Sequence, residues 1–387
     1  MSTEVSNSNN RRWVLGNLRP GEERVVYISV EAAGQVGDKR YVQFSTGSGL
    51  NVDSEYEVVD DEHITILASK EYTVEIHKPF LDVYLESRGT NLSNVIAHSG
   101  RDIEVTIKWF NNLTVPINDA AIKITLGGSA LNKAQIRPSQ GGFYRSVDSL
   151  LLWDAKTTKD KMKVIAPGQS GEFKFRITPL SSDYLQKIRT PELTFGVHVT
   201  GKRFSESNVP EELVAESSYE VKVATNVLFN SYALFKSSPF GAIGSIPPKV
   251  EYETQYAVVW EVSNTTSDLE DAVVRADLPH YVRWIGLTSP ANEQVIYNKV
   301  NHTLEWDLGD VKAGAGFSDS KPRSVSFAIG LVPSTSQLGS IPELVYGQIL
   351  NAIDSYTGEE ILSSAPKVDT RTSRDSGFSN GDASVVK

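Results

Sequence analysis

Polar and apolar residues alternate along much of this chain with a period of two. In IEVTIKWF, Ile103, Val105, Ile107 and Trp109 fall on one face, with Glu104, Thr106 and Lys108 on the other. EFKFRI sets Phe173, Phe175 and Ile177 against Lys174 and Arg176, QYAVVWEV lines up Tyr256, Val258, Trp260 and Val262, and SVSFAIGL lines up Val325, Phe327, Ile329 and Leu331. Strict alternation predicts antiparallel strands with one buried and one wet face. Turn clusters such as NNLTVPIND, PSQGG, APGQSG and KAGAG separate the strands. No amphipathic helix longer than two turns is evident, so the predicted class is all-β.

The pattern repeats. WFNNLTVPINDAAIKITLGG from Trp109 aligns with WEVSNTTSDLEDAVVRADLP from Trp260, Asp119-Ala120 with Asp271-Ala272, Trp153 with Trp306, and Pro191-Glu192-Leu193 with Pro342-Glu343-Leu344, all at an offset of about 151 residues. A period this long is far above the roughly 20–50 residues of a solenoid repeat, so each copy should be a domain with its own core. Many short strands with frequent turns in self-contained units predict tandem Ig-like β-sandwiches. We place one complete unit at 72–225 and the next at 226–372, with a polar, disordered tail at 373–387. The Pro-bearing stretch 226–250, with Pro239, Pro247 and Pro248, reads as a stiff approach to the second complete unit. The tryptophans read as core plugs.

WVLGNLRPGEERV at Trp13 echoes WDLGDVKAGAG at Trp306, yet the complete units place about 80 residues before that phrase. Residues 1–71 are therefore expected to hold a polar tail and then, over 11–71, the second half of a third sandwich, with a strand at GEERVVYISV. On this reading the chain is a fragment, or the end of a longer array. The open sheet of such a half-unit could support self-association.

Composition narrows the function classes. The 387 residues carry a net charge of −10, which disfavours nucleic acid as a partner because phosphate binding needs a basic stripe. It equally disfavours docking on an anionic membrane. No run approaches the roughly 18 apolar residues of a spanning helix, so no membrane span is expected. MSTEVSNSNNRR lacks the apolar stretch of a signal peptide. The absence of cysteine excludes disulfides, thiolate metal sites and cysteine nucleophiles.

Candidate chemistry is sparse. GVHVTGKR, Gly196 to Arg203, nearly spells a phosphate-binding loop, but Arg203 stands where Ser or Thr is needed and Val197 and Val199 alternate like a strand. The six histidines, His63, His77, His98, His198, His280 and His302, lack local metal spacing. Two acidic clusters, Asp53 to Glu62 and Ser267 to Ala272, could hold calcium but lack the ligand spacing of a dedicated loop and read as solvated acid. Four N-x-[ST] triplets, at Asn91, Asn112, Asn264 and Asn301, are glycosylation acceptors only in a eukaryotic secretory setting. Turn chemistry accounts for Asn112 and Asn264. No catalytic, cofactor-binding or metal residue is assigned, no cofactor is expected, and the binding residues are left open.

The phrase W-x-L-G-x-[LV]-x-[PA]-G, with D-A-x-V-x-A-x-L-P before it, resembles Ig-like conserved-repeat modules of the domain-of-unknown-function-eleven kind. These occur in large surface proteins of candidate-phylum (Patescibacteria-type) bacteria. The copy containing Trp306 carries the resemblance most fully. The preceding copy departs from it, with Leu126-Gly127 in place of Leu-Pro and Asp154-Ala155-Lys156 after its tryptophan. The resemblance implies a non-enzymatic, extracellular cell-surface segment that acts as spacer or stalk and meets a protein or glycan partner. Two alternatives stay open: a glycan-binding module with exposed aromatics, and an enzyme whose site lies at a module interface.

Overall fold

The computed structural model describes residues 6–7, 13–28, 39–49, 64–75, 78–204, 210–317 and 320–387. Two β-sandwiches account for most of them, and nine strands of each run in the same order; the first adds edge strands at Thr90–Asn91 and, in parallel with Pro210–Ala224, at Ile96–His98. In the first, one sheet runs in the order Leu81–Ser87, Ile103–Asn111, Ser170–Ile177, Ile136–Pro138. The facing sheet runs Phe143–Arg145, Leu150–Trp153, Ile117–Gly127, Glu192–Phe204, Pro210–Ala224. In the second, the orders are Val227–Leu234, Thr254–Asn264, Arg323–Leu331, Val282–Ser289 and Val295–Asn298, Thr303–Val311, Leu269–Asp277, Glu343–Asp354, Glu360–Ser364. Across these nine strands the repeat read from the sequence is a repeat of fold.

The conserved words have structural causes. Asp119 and Asp271 both adopt the left-handed region, at φ 47° and 51°, and ladder register breaks beside each. The Asp-Ala pair is thus a β-bulge that keeps Ala120 and Ala272 buried in the core. Trp153, Trp260 and Trp306 are fully buried and Trp109 nearly so. Trp153 stacks on Phe173 at 5.8 Å between ring centroids, and Trp260 on Trp306 at 6.3 Å. The Trp306 indole donates to the Glu293 carboxylate at 2.9 Å, and that of Trp260 to Gln348 at 2.6 Å. Gly171, in the APGQSG turn, faces Trp109 across the ladder, and a Cβ there would sit 2.3 Å from the indole ring.

A buried asparagine closes each sandwich where the chain crosses between sheets. Asn111 donates to the carbonyls of Ile165 and Ala166, both at 3.0 Å, and accepts from the Leu113 N–H at 2.9 Å. Asn264, its counterpart in the second sandwich, donates to the Ser267 and Val311 carbonyls. Carbonyls that leave their ladders at this corner are thereby paired.

Several expectations change. The expected tail at 373–387 is packed instead of disordered. Asp375 accepts from the N–H groups of Phe235, Lys236 and Ser237 at 2.7–3.0 Å, Thr370 donates to the Ala383 carbonyl, and Val386 exchanges backbone bonds with Pro248 and Val250. Polar composition hid this because the segment is held by hydrogen bonds and by two small apolar anchors, Ala383 and Val385, both buried. Nor is 226–250 a linker. Val227–Leu234 is an edge strand paired with Thr254–Asn264, and the prolines belong to the loop that the C-terminal segment laces down.

The boundary expected at 71/72 falls inside a strand, since Lys39–Gly49 pairs with Ile64–Glu75 in a single hairpin. Of the strand expected at GEERVVYISV, Glu22 to Ile28 have no ladder partner among the described residues. The Arg24 guanidinium turns back instead onto the Leu15 and Asn17 carbonyls and the Glu22 carboxylate, a local loop that competes with pairing. The acidic run 53–62 and the histidines at 63 and 77 lie outside the described residues.

Two outcomes follow from this packing. Trp306→Ala should cost about 3–5 kcal/mol in a denaturant melt, because it opens a cavity and strips Glu293 of an indole donor. A loss under about 1 kcal/mol would place the residue in the surface range. The second concerns acid. Burial pushes the Asp375 carboxyl up, but the three N–H donors outweigh it and hold its pKa below the ordinary carboxylate value. A depressed folded pKa stabilises above the unfolded value and loses that stabilisation as pH falls through the folded one. Amide protection at 235–237 and 375–386 should therefore drop selectively on acidification below about pH 4. In Asp375→Asn it should be low already at neutral pH.

Candidate functional site

Two places have a geometry beyond that of a packed core: the joint between the sandwiches and one open sheet face. The joint is short. Only Thr225 and Asn226 separate the last strand of the first sandwich from the first strand of the second. Thr225 is nonetheless buried, and its N–H and hydroxyl are both engaged by the second sandwich. Its N–H donates to Asp354 Oδ2 at 2.8 Å, its hydroxyl donates to Asn264 Oδ1 at 2.5 Å, and the Thr266 N–H donates to that hydroxyl at 3.0 Å. Asp354 is fully buried and also accepts from the Ser267 hydroxyl at 2.5 Å and the Tyr356 N–H at 2.9 Å.

Charged contacts surround this knot. Lys222 of the first sandwich donates to the Tyr356 carbonyl at 3.1 Å and lies 4.8 Å over its ring, and His98 approaches Glu359 at 3.5 Å. Lys312 and the Ala313 N–H hold Asp268 below the usual carboxylate range, against a smaller upward push from burial, and Arg189 of the first sandwich adds to their effect. The acidic cluster 267–272 is thus built into the joint. Ser267 serves Asp354 and Asp268 serves Lys312, while Glu270 and Asp271 are exposed. Its residues diverge instead of converging on a cation.

The open face is the outer side of the sheet containing 81–87, 103–111 and 170–177. Here the wet halves of three alternating strands meet around a dent of about 540 Å³ lined by Glu86, Lys108, Glu104, Lys174, Arg176 and Arg88, among others. Thr106, only 8 % exposed, lies at its floor. Lys108 pairs with Glu86 at 2.7 Å, and Arg176 with Glu104 at 3.1 Å. These contacts raise the Lys108 pKa and lower that of Glu104. Arg88 and Gly89, at φ 52° and 83°, form the tight turn after 81–87 that places Arg88 on the rim. Tyr84 stands opposite Lys108 and Phe110 opposite Asp82, so two half-exposed aromatics lie on the same sheet face as the dent.

The second sandwich carries a different surface at the same register. Thr106, Lys108 and Phe110 correspond to Ala257, Val259 and Glu261, and Glu172, Lys174 and Arg176 to Ser326, Ala328 and Gly330. Ala257, Val259 and Ala328 are buried. The C-terminal segment reaches onto this face, with Arg374 3.6 Å over the Tyr232 ring and 3.3 Å from Glu261.

The remaining sequence candidates fall into place. Gly196 to Arg203 lies inside the extended strand Glu192–Phe204, and Arg203 pairs with Glu211. His280 and His302 meet ring to ring at 4.4 Å, with Tyr297 bonded to His302 at 2.8 Å, a contact that their spacing in sequence did not announce. His198 bonds Glu216 across a ladder. Asn264 is a buried joint residue, whereas Asn112 ties the Pro79 carbonyl. Alternation had marked Glu104, Lys108, Lys174 and Arg176 as wet, and only strand order showed that they meet. For Thr225 and Asp354 the single signal was polarity inside apolar stretches, and Asp375, set in a polar run, gave none.

No family model and no curated protein matches the chain. Among solved structures it is similar to the C-terminal domain of the Streptococcus agalactiae AgI/II polypeptide BspA, at 11 % identity, over 75 % of this chain and 100 % of that one, with a TM-score of 0.27. The C-terminal domain of the Streptococcus pyogenes antigen I/II-family protein AspA matches at 9 % identity over 75 % and 99 %, with a TM-score of 0.24. A putative membrane anchored protein from Corynebacterium diphtheriae matches at 10 % over 78 % and 93 %, also with 0.24. Scores of this size carry no weight for function.

The joint makes a direct prediction. Thr225→Val keeps the shape but leaves Asn264 Oδ1 and the Thr266 N–H without their partner, at about 1–3 kcal/mol for each buried group left unpaired. Spin labels on the two sandwiches should then show a broader distance distribution than in the parent chain. An unchanged width would mean that the knot does not hold the joint.

Proposed function

We propose that this chain is a non-enzymatic stretch of an extracellular cell-surface protein, serving as a rigid spacer and as an adhesion or partner-binding module. The observation that carries the reading is the joint. Two sandwiches separated by two residues, with a buried carboxylate spanned by hydrogen bonds from both sides, have little freedom to fold back on each other. Such a pair transmits position, as a stalk must, where a flexible linker would not. A charged sheet face that stays open on one sandwich suits the partner-binding half of the role. The reading is in keeping with the conserved-repeat surface proteins that the sequence resembles. On it the chain meets a protein or glycan partner outside the cell and performs no chemistry of its own.

Antibodies raised against the purified chain test this directly. They should label intact, unpermeabilised cells of the source organism, and mild protease treatment of those cells should remove the signal. Labelling that needs permeabilisation would overturn the reading.

A further inference from the structure

We infer that the hairpin formed by Lys39–Gly49 and Ile64–Glu75 is a strand acceptor. The open edge of Lys39–Gly49 takes up an extended, acidic strand of the Leu269–Asp277 kind from a partner protein. The assignment goes beyond the spacer reading and is independent of where the protein resides.

The two complete sandwiches show what this hairpin corresponds to. EYTVE at 71–75 matches SYEVK at 218–222, and the tyrosines hold the same place in their ladders, Tyr72 opposite Val42 and Tyr219 opposite Phe195. Lys39–Gly49 is thus the counterpart of Glu192–Phe204 and, one unit further on, of Glu343–Asp354. Each of those strands is paired on both edges. One edge carries the hairpin partner, and the other carries the strand with the Asp-Ala bulge, Ile117–Gly127 or Leu269–Asp277. Lys39–Gly49 has only its hairpin partner among the described residues.

Side chains mark the same vacancy. Val42, Phe44, Tyr72 and Val74 share one face, with Phe44 edge-on to Tyr72 at 5.9 Å. Phe195, Val197 and Val221, in the matching places, are buried, whereas Tyr72 and Val74 are exposed. A two-stranded ribbon is marginally stable by itself in water, and an open edge is a template for a further strand. Strand addition satisfies the edge through backbone hydrogen bonds and selects its partner by alternate side chains. A strand of the Leu269–Asp277 kind brings Ala272, Val274 and Ala276 at every second position, which would extend the apolar face.

Charge favours this donor over a second copy of the chain. A second copy holds Ile117–Gly127 and Leu269–Asp277 between two neighbours each, so the edge it could offer is its own Lys39–Gly49. That strand carries Lys39 and Arg40 and no acid, while its hairpin partner carries Lys70 with Glu71 and Glu75. Pairing two such strands adds like charge to like. Leu269–Asp277 has Glu270, Asp271 and Asp277 against Arg275, and its sign is opposite.

Hydrogen exchange of the full chain with the synthetic peptide LEDAVVRAD, the sequence of 269–277, tests the assignment. At a peptide concentration about tenfold above its Kd, exchange across 39–49 should slow about tenfold. Exchange across 192–204, both of whose edges are paired, should not change. The peptide carrying Val273→Pro and Val274→Pro should have no effect, because successive N–H groups point to opposite sides and one of the two must face the edge. No slowing with the parent peptide, equal slowing with the proline peptide, or exchange at 39–49 already as slow as at 192–204 in the free monomer would each overturn the inference. So would a dimer, seen by sedimentation, that protects 39–49 and excludes the peptide, since the edge would then belong to a second copy. Intact-cell labelling would stand in every case, so failure here is distinct from failure of the surface-protein reading.

Discussion

The structure depends on how the backbone is satisfied where it crosses from one sheet to the other. A two-sheet sandwich must carry its chain out of one ladder and into the next, and at that corner buried carbonyls have no strand beside them. Asn111 and Asn264 supply the missing donors. An asparagine can do this because its amide both donates and accepts, so one side chain ties the departing carbonyls while fixing the turn that follows. In the second sandwich the same residue does more. Its carbonyl oxygen receives the Thr225 hydroxyl, so the device that closes the domain also fastens it to its neighbour.

That economy explains why the joint can be so short. Burying Asp354 without a cation would be costly if its lone pairs were idle, but hydrogen bonds from Thr225, Ser267 and Tyr356 occupy them. Because one donor comes from the joint and the others from the second sandwich, the carboxylate is satisfied only while the two sit together. The stalk role proposed for the chain rests on this dependence.

Equality of fold has allowed inequality of surface. The two cores differ little in kind, each packing tryptophans against phenylalanines on inner faces. The outer faces of their matching sheets have diverged, one to an open array of charges and one to small residues onto which the C-terminal segment folds. A face covered by its own chain is closed to partners, and an open charged face is not.

Much of this was legible in the sequence because its signals are local or periodic. Alternation in IEVTIKWF and SVSFAIGL determined strands and their buried faces, and the offset of about 151 residues determined that the fold occurs twice. Tryptophans on the inner faces could be read as core, since no other place suits so large an apolar group. Tertiary structure alone decided the rest, for the reason that hydrogen-bond partners distant in sequence leave no periodic trace. Thr225 and Asp354 are 129 residues apart, and Asp375 meets Phe235 across 140. A polar C-terminal stretch read locally as disordered tail and a proline-bearing stretch as a stiff linker, yet each supplies what the other's backbone lacks. The charged face was likewise visible only as separate wet residues, because strand order, which brings Glu86, Lys108 and Arg176 to one surface, is fixed by the packing of the whole sandwich.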